Sequence, residues 1–119
     1  MRLFFVTMIV LSYLNAAYAD DLKVANSTKY DLSYSLMGVC QDAVIQNKSI
    51  DEIRESLVTK SCPFPMPCYI EFYNAPNCGG KSIGLMYFDI GYGVLVVKST
   101  SDLVFKSNKH SLFIQGDWN

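Results

Sequence analysis

The sequence predicts a mainly β protein: a small antiparallel β-sandwich of about seven strands with one short helix, stapled by disulfides. Three observations carry this. Short apolar or alternating runs recur along the chain, separated by turns rich in Gly, Asn, Pro and Ser. Four cysteines lie at positions 40, 62, 68 and 78, an even count. About a hundred residues remain once the first nineteen are set aside, which is the size of one domain that buries only roughly 65% of its unfolded surface, so covalent cross-links matter to its stability.

Residues 1–19 are set aside because they read as a secretory signal peptide. Met1-Arg2 is a short basic start, Leu3 to Leu14 is apolar except for Thr7 and Ser12, and Asn15-Ala16-Ala17-Tyr18-Ala19 ends in small residues before Asp20-Asp21. As a helix the apolar stretch reaches roughly 18 Å, short of the roughly 30 Å core of a bilayer. Cleavage is expected near Ala19, leaving residues 20–119 as a single β-sandwich domain in the periplasm or outside the cell. Asp20, not a cysteine, comes directly after the cut, which argues against a lipid anchor there, and no later run is long enough to hold the chain stably in a membrane.

The elements follow in order. Leu22 to Ala25 is a short strand ended by Asn26-Ser27-Thr28, and Tyr30 to Met37 alternates Tyr30, Leu32, Tyr34 and Leu36 against Asp31, Ser33 and Ser35, the period of a half-buried strand. Ser49-Ile50-Asp51-Glu52 has capping-box spacing, and Ile50, Ile53 and Leu57 recur at helical intervals, which predicts a helix over about 50–59. The prolines at 63, 65 and 67 then exclude helix and central strand, because proline lacks a backbone donor. From Cys68 on the chain reads β: 69–73, 82–88, 94–98, 103–106 and 111–115. Val94-Leu95-Val96-Val97 has no polar face, so a central strand is expected there.

The cysteines are separated by twenty-one, five and nine residues with no Cys-x-x-Cys knuckle, which argues for disulfides over zinc. Three pairings are possible. If Cys68 opens a strand and Cys78 lies in the turn that ends it, the two sit far apart along a hairpin, which favours Cys62 with Cys68 and Cys40 with Cys78.

Charge and residue inventory exclude several chemistries. The whole chain carries ten Lys and Arg against eleven Asp and Glu, and losing Arg2 with the leader takes the net charge from −1 to −2. No basic face appears, whereas phosphate contacts to nucleic acid need one. His110 is the only histidine, so a blue-copper centre or a second metal-ligating histidine is impossible, and no Gly-x-Ser-x-Gly elbow accompanies it. No metal, cofactor or catalytic residue is assigned. Asn77-Cys78-Gly79-Gly80-Lys81-Ser82 lacks the spacing of a phosphate loop and reads as a turn. Asn26-Ser27-Thr28 and Asn47-Lys48-Ser49 fit the N-glycosylation pattern, which matters only in a eukaryotic secretory pathway.

Eight tyrosines are more informative. If Ile70 and Phe72 point into the core, Tyr69, Glu71 and Tyr73 share the outer face, where rigid aromatic area suits a protein or glycan partner. The competing reading has these aromatics facing a second sheet. Phe64 and Met66, in the loop between Cys62 and Cys68, are further candidate contacts, as in an inhibitor that inserts a rigid loop into a secreted enzyme. From a different class, Glu71 with Asp89 are the carboxylates a small hydrolase would use.

The stretches Lys23-Val24-Ala25-Asn26-Ser27-Thr28, Gly38-Val39-Cys40, Lys60-Ser61-Cys62, Cys68 to Tyr73, Asn77-Cys78-Gly79-Gly80 and Tyr87-Phe88-Asp89-Ile90 together resemble a group of small exported β-sandwich proteins of Gram-negative bacteria that live inside host cells. The resemblance spans nearly all of residues 22–98 through cysteine spacing and strand pattern. It implies release by type II secretion and a part in infection without a known enzymatic activity, and it carries over no functional residue. Tyr73 to Gly80 with Ser111 to Trp118 is also locally similar to a βγ-crystallin Greek key, although Cys78 stands where that motif has its second aromatic and the paired calcium-binding stretch is missing. The function expected is therefore that of a secreted, non-enzymatic binding protein.

Overall fold

The computed structural model describes residues 21–62, 67–89 and 91–116. The expected leader, 1–19, lies outside these residues, as do Phe64 and Met66. The described chain is mainly β, with two sheets and one α-helix. One sheet has the order β4-β1-β9-β8, built from Ser49–Ile53, Leu22–Ser27, Ser111–Gln115 and Val104–Asn108. The other has the order β3-β2-β5-β6-β7, built from Val39–Cys40, Ser33–Leu36, Cys68–Tyr73, Ser82–Asp89 and Gly93–Ser99. All pairings are antiparallel except β1 with β9, which run parallel from Lys23↔Ser111 to Ser27↔Gln115. The expected antiparallel β-sandwich is thus what forms, with one parallel exception where β1 meets β9.

Period-two alternation builds the core. Leu22 and Val24 of β1 and Leu112 and Ile114 of β9 are fully buried, and they share one cluster with Leu36, Ile70, Phe72, Met86 and Phe88 of the facing sheet. Phe105 of β8 meets Phe72 edge-on, with ring centroids 6.1 Å apart, and so fastens the outer strand of one sheet to the middle of the other. Tyr34 is also in the core, 4% exposed, and its hydroxyl pKa is raised first by that burial and then by the negative charge of Asp51.

Two expectations are corrected. Ser49–Ile53 is a strand, paired with β1 from Leu22↔Ile53 to Asn26↔Ser49, and the helix, α1, is Glu55–Ser61. The edge of β1 offered this segment a full ladder, and a helix there would have left that ladder unmade; Ile50 is consequently 72% exposed while Ile53 is buried. Asp21 at the entry to β1 accepts the Glu55 N–H at 2.8 Å and so caps the helix that follows. Second, β7 is an edge strand of its sheet, not a central one. Tyr87 pairs with Val96 and Phe88 with Val94, so Leu95 is an extra, unpaired residue, and this bulge twists an otherwise sticky edge. Asn26, in the first glycosylation-type triplet, is 1% exposed, with its amide donating to the carbonyls of Tyr30, Ile45 and Gln46, so that triplet cannot accept a glycan in the folded chain.

Both disulfides are formed, Cys40–Cys78 with Cα atoms 6.0 Å apart and Cys62–Cys68 with Cα atoms 5.2 Å apart. These are the pairs favoured by the hairpin geometry. They point to an oxidising extracellular or periplasmic location. No helix among the described residues is long and apolar enough to cross a membrane. The two bridges differ in reach, with sequence separations of 38 and 6. In the chain-entropy model the longer loop is worth about 3.9 kcal/mol and the shorter about 2.4 kcal/mol. Replacing Cys40 and Cys78 together by serine is therefore expected to lower the melting temperature more than replacing Cys62 and Cys68. Differential scanning calorimetry on the two double variants checks the order, and equal losses would refute it.

Candidate functional site

The site is assembled on the outer face of the five-stranded sheet. Along β5 burial alternates strictly: Cys68, Ile70 and Phe72 are buried, while Tyr69, Glu71 and Tyr73 are half-exposed on the opposite face. Register then decides their neighbours. Tyr69 lies opposite Tyr87 and Glu71 opposite Leu85, and Leu85 in turn lies opposite Lys98 and Tyr87 opposite Val96. On the other side Glu71 is paired with Ser35 and Tyr73 with Ser33.

The two halves of this face differ. Over β2 it is closed: Ser33 and Ser35 are buried although they alternate with core residues, because the turn Ala75 to Cys78 folds across them. The Ser33 hydroxyl donates to the Ala75 carbonyl at 2.6 Å and accepts the Cys78 N–H at 2.7 Å, and the Cys40–Cys78 bridge ties the same turn to β3. Met37-Gly38, with φ of 51° and 85°, makes the two-residue turn that brings β3 back against β2. Over β5, β6 and β7 the face is open, with Met37, Tyr87 and Val96 at 37%, 39% and 56% exposure.

Within the open half, Tyr69 and Tyr87 meet edge to face, with centroids 5.4 Å apart. Met37 is pinned beside them, its N–H donating to the Tyr69 carbonyl at 2.8 Å and its sulfur lying 3.2 Å from the Tyr69 nitrogen. Glu71 is oriented by hydroxyls: Tyr73 donates to Oε1 at 3.1 Å and Ser82 donates to Oε2 at 2.6 Å. The Ser35 hydroxyl lies 3.5 Å from that of Tyr73 and extends the chain of polar contacts towards β3. The Tyr69 pKa is raised, first by burial and then by the Glu71 charge, so this phenol stays protonated at neutral pH. Rigid rings and a fixed carboxylate on a pleated surface are suited to holding a partner group in one orientation.

The other candidates do not converge on this point. Asp89 sits on β6 four residues beyond Leu85, the partner of Glu71, which puts the two carboxylates roughly 14 Å apart by strand geometry. That exceeds the roughly 5–9.5 Å that glycoside hydrolysis requires. Asp89 is also engaged, its Oδ1 accepting the N–H groups of Gly91 at 2.9 Å and Tyr92 at 3.0 Å as a turn former. His110 lies beside Phe88, centroids 6.3 Å apart, and its carbonyl accepts the Lys23 N–H at 3.0 Å. Among the described residues no three His, Cys, Asp or Glu side chains gather to hold a metal. A polar cleft of about 400 Å³ near Tyr30, Asn74, Lys81 and Asp102 is framed by Thr100 and Ser101. Their hydroxyls donate to the Ser82 and Ile83 carbonyls at 3.2 and 2.9 Å, which assigns them to fixing the turn.

Comparisons with protein-family models, curated proteins and solved structures find no match. Sequence reasoning reached Tyr69, Glu71 and Tyr73 through alternation but missed Met37, Ser82, Tyr87 and Val96. The alternation of Ser82 to Phe88 was the available signal for Tyr87; the register that sets it against Tyr69 is not local.

Proposed function

We propose that this chain is an exported, non-enzymatic binding protein that engages a protein or glycan of a host or competitor through the outer face of the five-stranded sheet. In this reading residues 1–19 are its secretory leader and the mature domain is released by type II secretion as an infection-associated factor. The Tyr69–Tyr87 pair carries the reading: two large rings lie against each other on a surface face, flanked by exposed Met37 and Val96. Aromatic side chains held rigid in this way give up little conformational entropy on binding and dominate contact energy where they occur at the centre of an interface. The closed half of the sheet supplies the rigidity, since the bridged turn over Ser33 and Ser35 holds β2 and β3 in place beside β5.

Screening the oxidised protein against immobilised protein and glycan libraries tests this. A retained ligand should lose at least about thirtyfold in affinity on Tyr87→Ala, because truncating an anchor of this kind costs about 2 kcal/mol or more. Val104→Ala, on the exposed β8 of the other sheet, should leave the affinity unchanged. Equal effects of the two substitutions would remove the aromatic face as the contact surface, and turnover of any library member, abolished by Glu71→Gln, would replace binding by catalysis.

A further inference from the structure

We propose that the partner is a protein segment that presents a cationic side chain, arginine by preference, which docks on the Glu71 carboxylate beside the rings of Tyr69, Tyr73 and Tyr87. The inference rests on the binding role assigned to this face and names the chemistry that the face selects.

Glu71 is the acidic group at the centre of the open half, and the hydrogen bonds it accepts come from neutral hydroxyls, Tyr73 at 3.1 Å on one oxygen and Ser82 at 2.6 Å on the other. A carboxylate has about four lone-pair sites, so one donor on each oxygen orients the group and leaves capacity on both. Two oxygens with fixed directions match the parallel N–H groups of a guanidinium, whereas a lysine ammonium meets them as a point charge. The tyrosines add the second element of recognition, since a cation over a tyrosine face is attracted by the ring quadrupole and guanidinium also stacks on it.

Charge complementarity favours the same occupant. Lys98 is the basic residue in the Glu71 row, but it lies two strands away, past Leu85, at roughly 10 Å by strand spacing. No ion pair joins Lys98 to Glu71 among the described residues, so the carboxylate's charge is left for an incoming cation. Met37, Leu85 and Val96 supply apolar surface around the carboxylate for the residues that flank the arginine. Partial exclusion of water by that surface strengthens the charge contact, as it does at interface hot spots.

The test is solution NMR on the ¹⁵N-labelled, oxidised protein with two capped tripeptide probes: arginine between two leucines, and citrulline in the same frame, which keeps the shape and removes the charge. The arginine probe should shift the amide resonances of Tyr69, Glu71, Leu85 and Tyr87 saturably, and the citrulline probe should bind at least about tenfold more weakly. Glu71→Gln, which keeps the shape of the side chain, should bring the arginine probe down to the citrulline level while its spectrum stays that of a folded protein. Equal affinity of the two probes at these residues would overturn the arginine assignment and leave the aromatic face intact as a contact surface. Shifts confined to other parts of the molecule, or none for either probe, would overturn it as well; the aromatic face is judged separately, by the effect of Tyr87→Ala on a library ligand.

Discussion

Replacing Gly93 by alanine is expected to destabilise the fold by about 3–5 kcal/mol, the sum of a backbone strain of about 1–3 kcal/mol and an overlap that only movement of a neighbouring turn relieves. Gly93 opens β7 with φ of 109°, a region that side-chain-bearing residues rarely enter. A Cβ placed there would lie 2.0 Å from the carbonyl oxygen of Lys109. That oxygen is a backbone atom in the β8–β9 turn and already accepts the Val94 N–H at 2.8 Å, so yielding to the new methyl breaks the bond that joins the two sheets at this end. Gly91, two residues earlier, is the control. A Cβ on it would meet Asp89 Oδ1 at an ordinary 3.6 Å, and Gly91→Ala should change stability by less than about 1 kcal/mol. Urea denaturation of the two variants compares them directly. With roughly 4–8 °C of melting temperature per kcal/mol in a domain of this size, the difference is also large in a thermal scan. Equal midpoints would show that β7 and the β8–β9 turn can separate without cost.

Asn26→Asp should be nearly as damaging, although it changes one atom for another of similar size. The Asn26 amide donates to Tyr30 O at 2.8 Å, Ile45 O at 2.9 Å and Gln46 O at 3.1 Å, while its Oδ1 accepts from Thr28 N at 3.0 Å and Thr28 Oγ1 at 2.6 Å. One buried side chain thereby organises the turn after β1 and the loop that carries Ile45, whose backbone bridges Leu32. Aspartate retains the acceptor and sets a carboxylate oxygen against the carbonyls that Asn26 holds. The three carbonyls keep other donors, Thr28 Oγ1 on Tyr30 O, Leu32 N–H on Ile45 O and Ser49 Oγ on Gln46 O, so the cost lies in the lost amide bonds and in a buried charge facing carbonyl oxygens, and a loss of about 3–5 kcal/mol is expected near neutral pH. Asn26→Ala, which loses the same donor bonds and also the Oδ1 acceptor but adds no charge, should lose less than Asn26→Asp at pH 7. The two should approach each other as the pH falls and the introduced carboxyl becomes protonated. Chemical denaturation of both variants at pH 4 and pH 7 reads this, and an Asn26→Asp protein as stable as the original would mean that the amide is not the organising group.

Such dependence on a few polar and backbone contacts follows from size. Net stability of small domains is about 5–15 kcal/mol, left over from much larger opposing terms. One broken cluster at Asn26 or one forced turn at Gly93 is then a large part of the whole margin.

What the sequence determined by itself is whatever depends on near neighbours along the chain. Alternation placed Ile70 and Phe72 on one face of a strand and Tyr69, Glu71 and Tyr73 on the other, because successive side chains of an extended backbone must point to opposite sides. Turn residues bounded the strands from 68 to 115 for a similarly local reason, and hairpin length was enough to separate Cys68 from Cys78 and favour the pairs that form. Tertiary structure decided what lies across each strand. Ile50 and Ile53 have a spacing compatible with a helix, yet the open edge of β1 made Ser49–Ile53 a strand. Val94 to Val97 reads as buried on both faces, yet it forms an edge, because nothing in an apolar run states how many neighbours it will have. Asn26 looks like a surface acceptor triplet and is buried, since the carbonyls it satisfies come from residues up to twenty positions away. The candidate site divides along the same line: Glu71 and its flanking tyrosines follow from alternation, whereas Tyr87, Ser82 and Met37 join them only through the register of β5 with its neighbours, which is set by the packing of both sheets on their shared core.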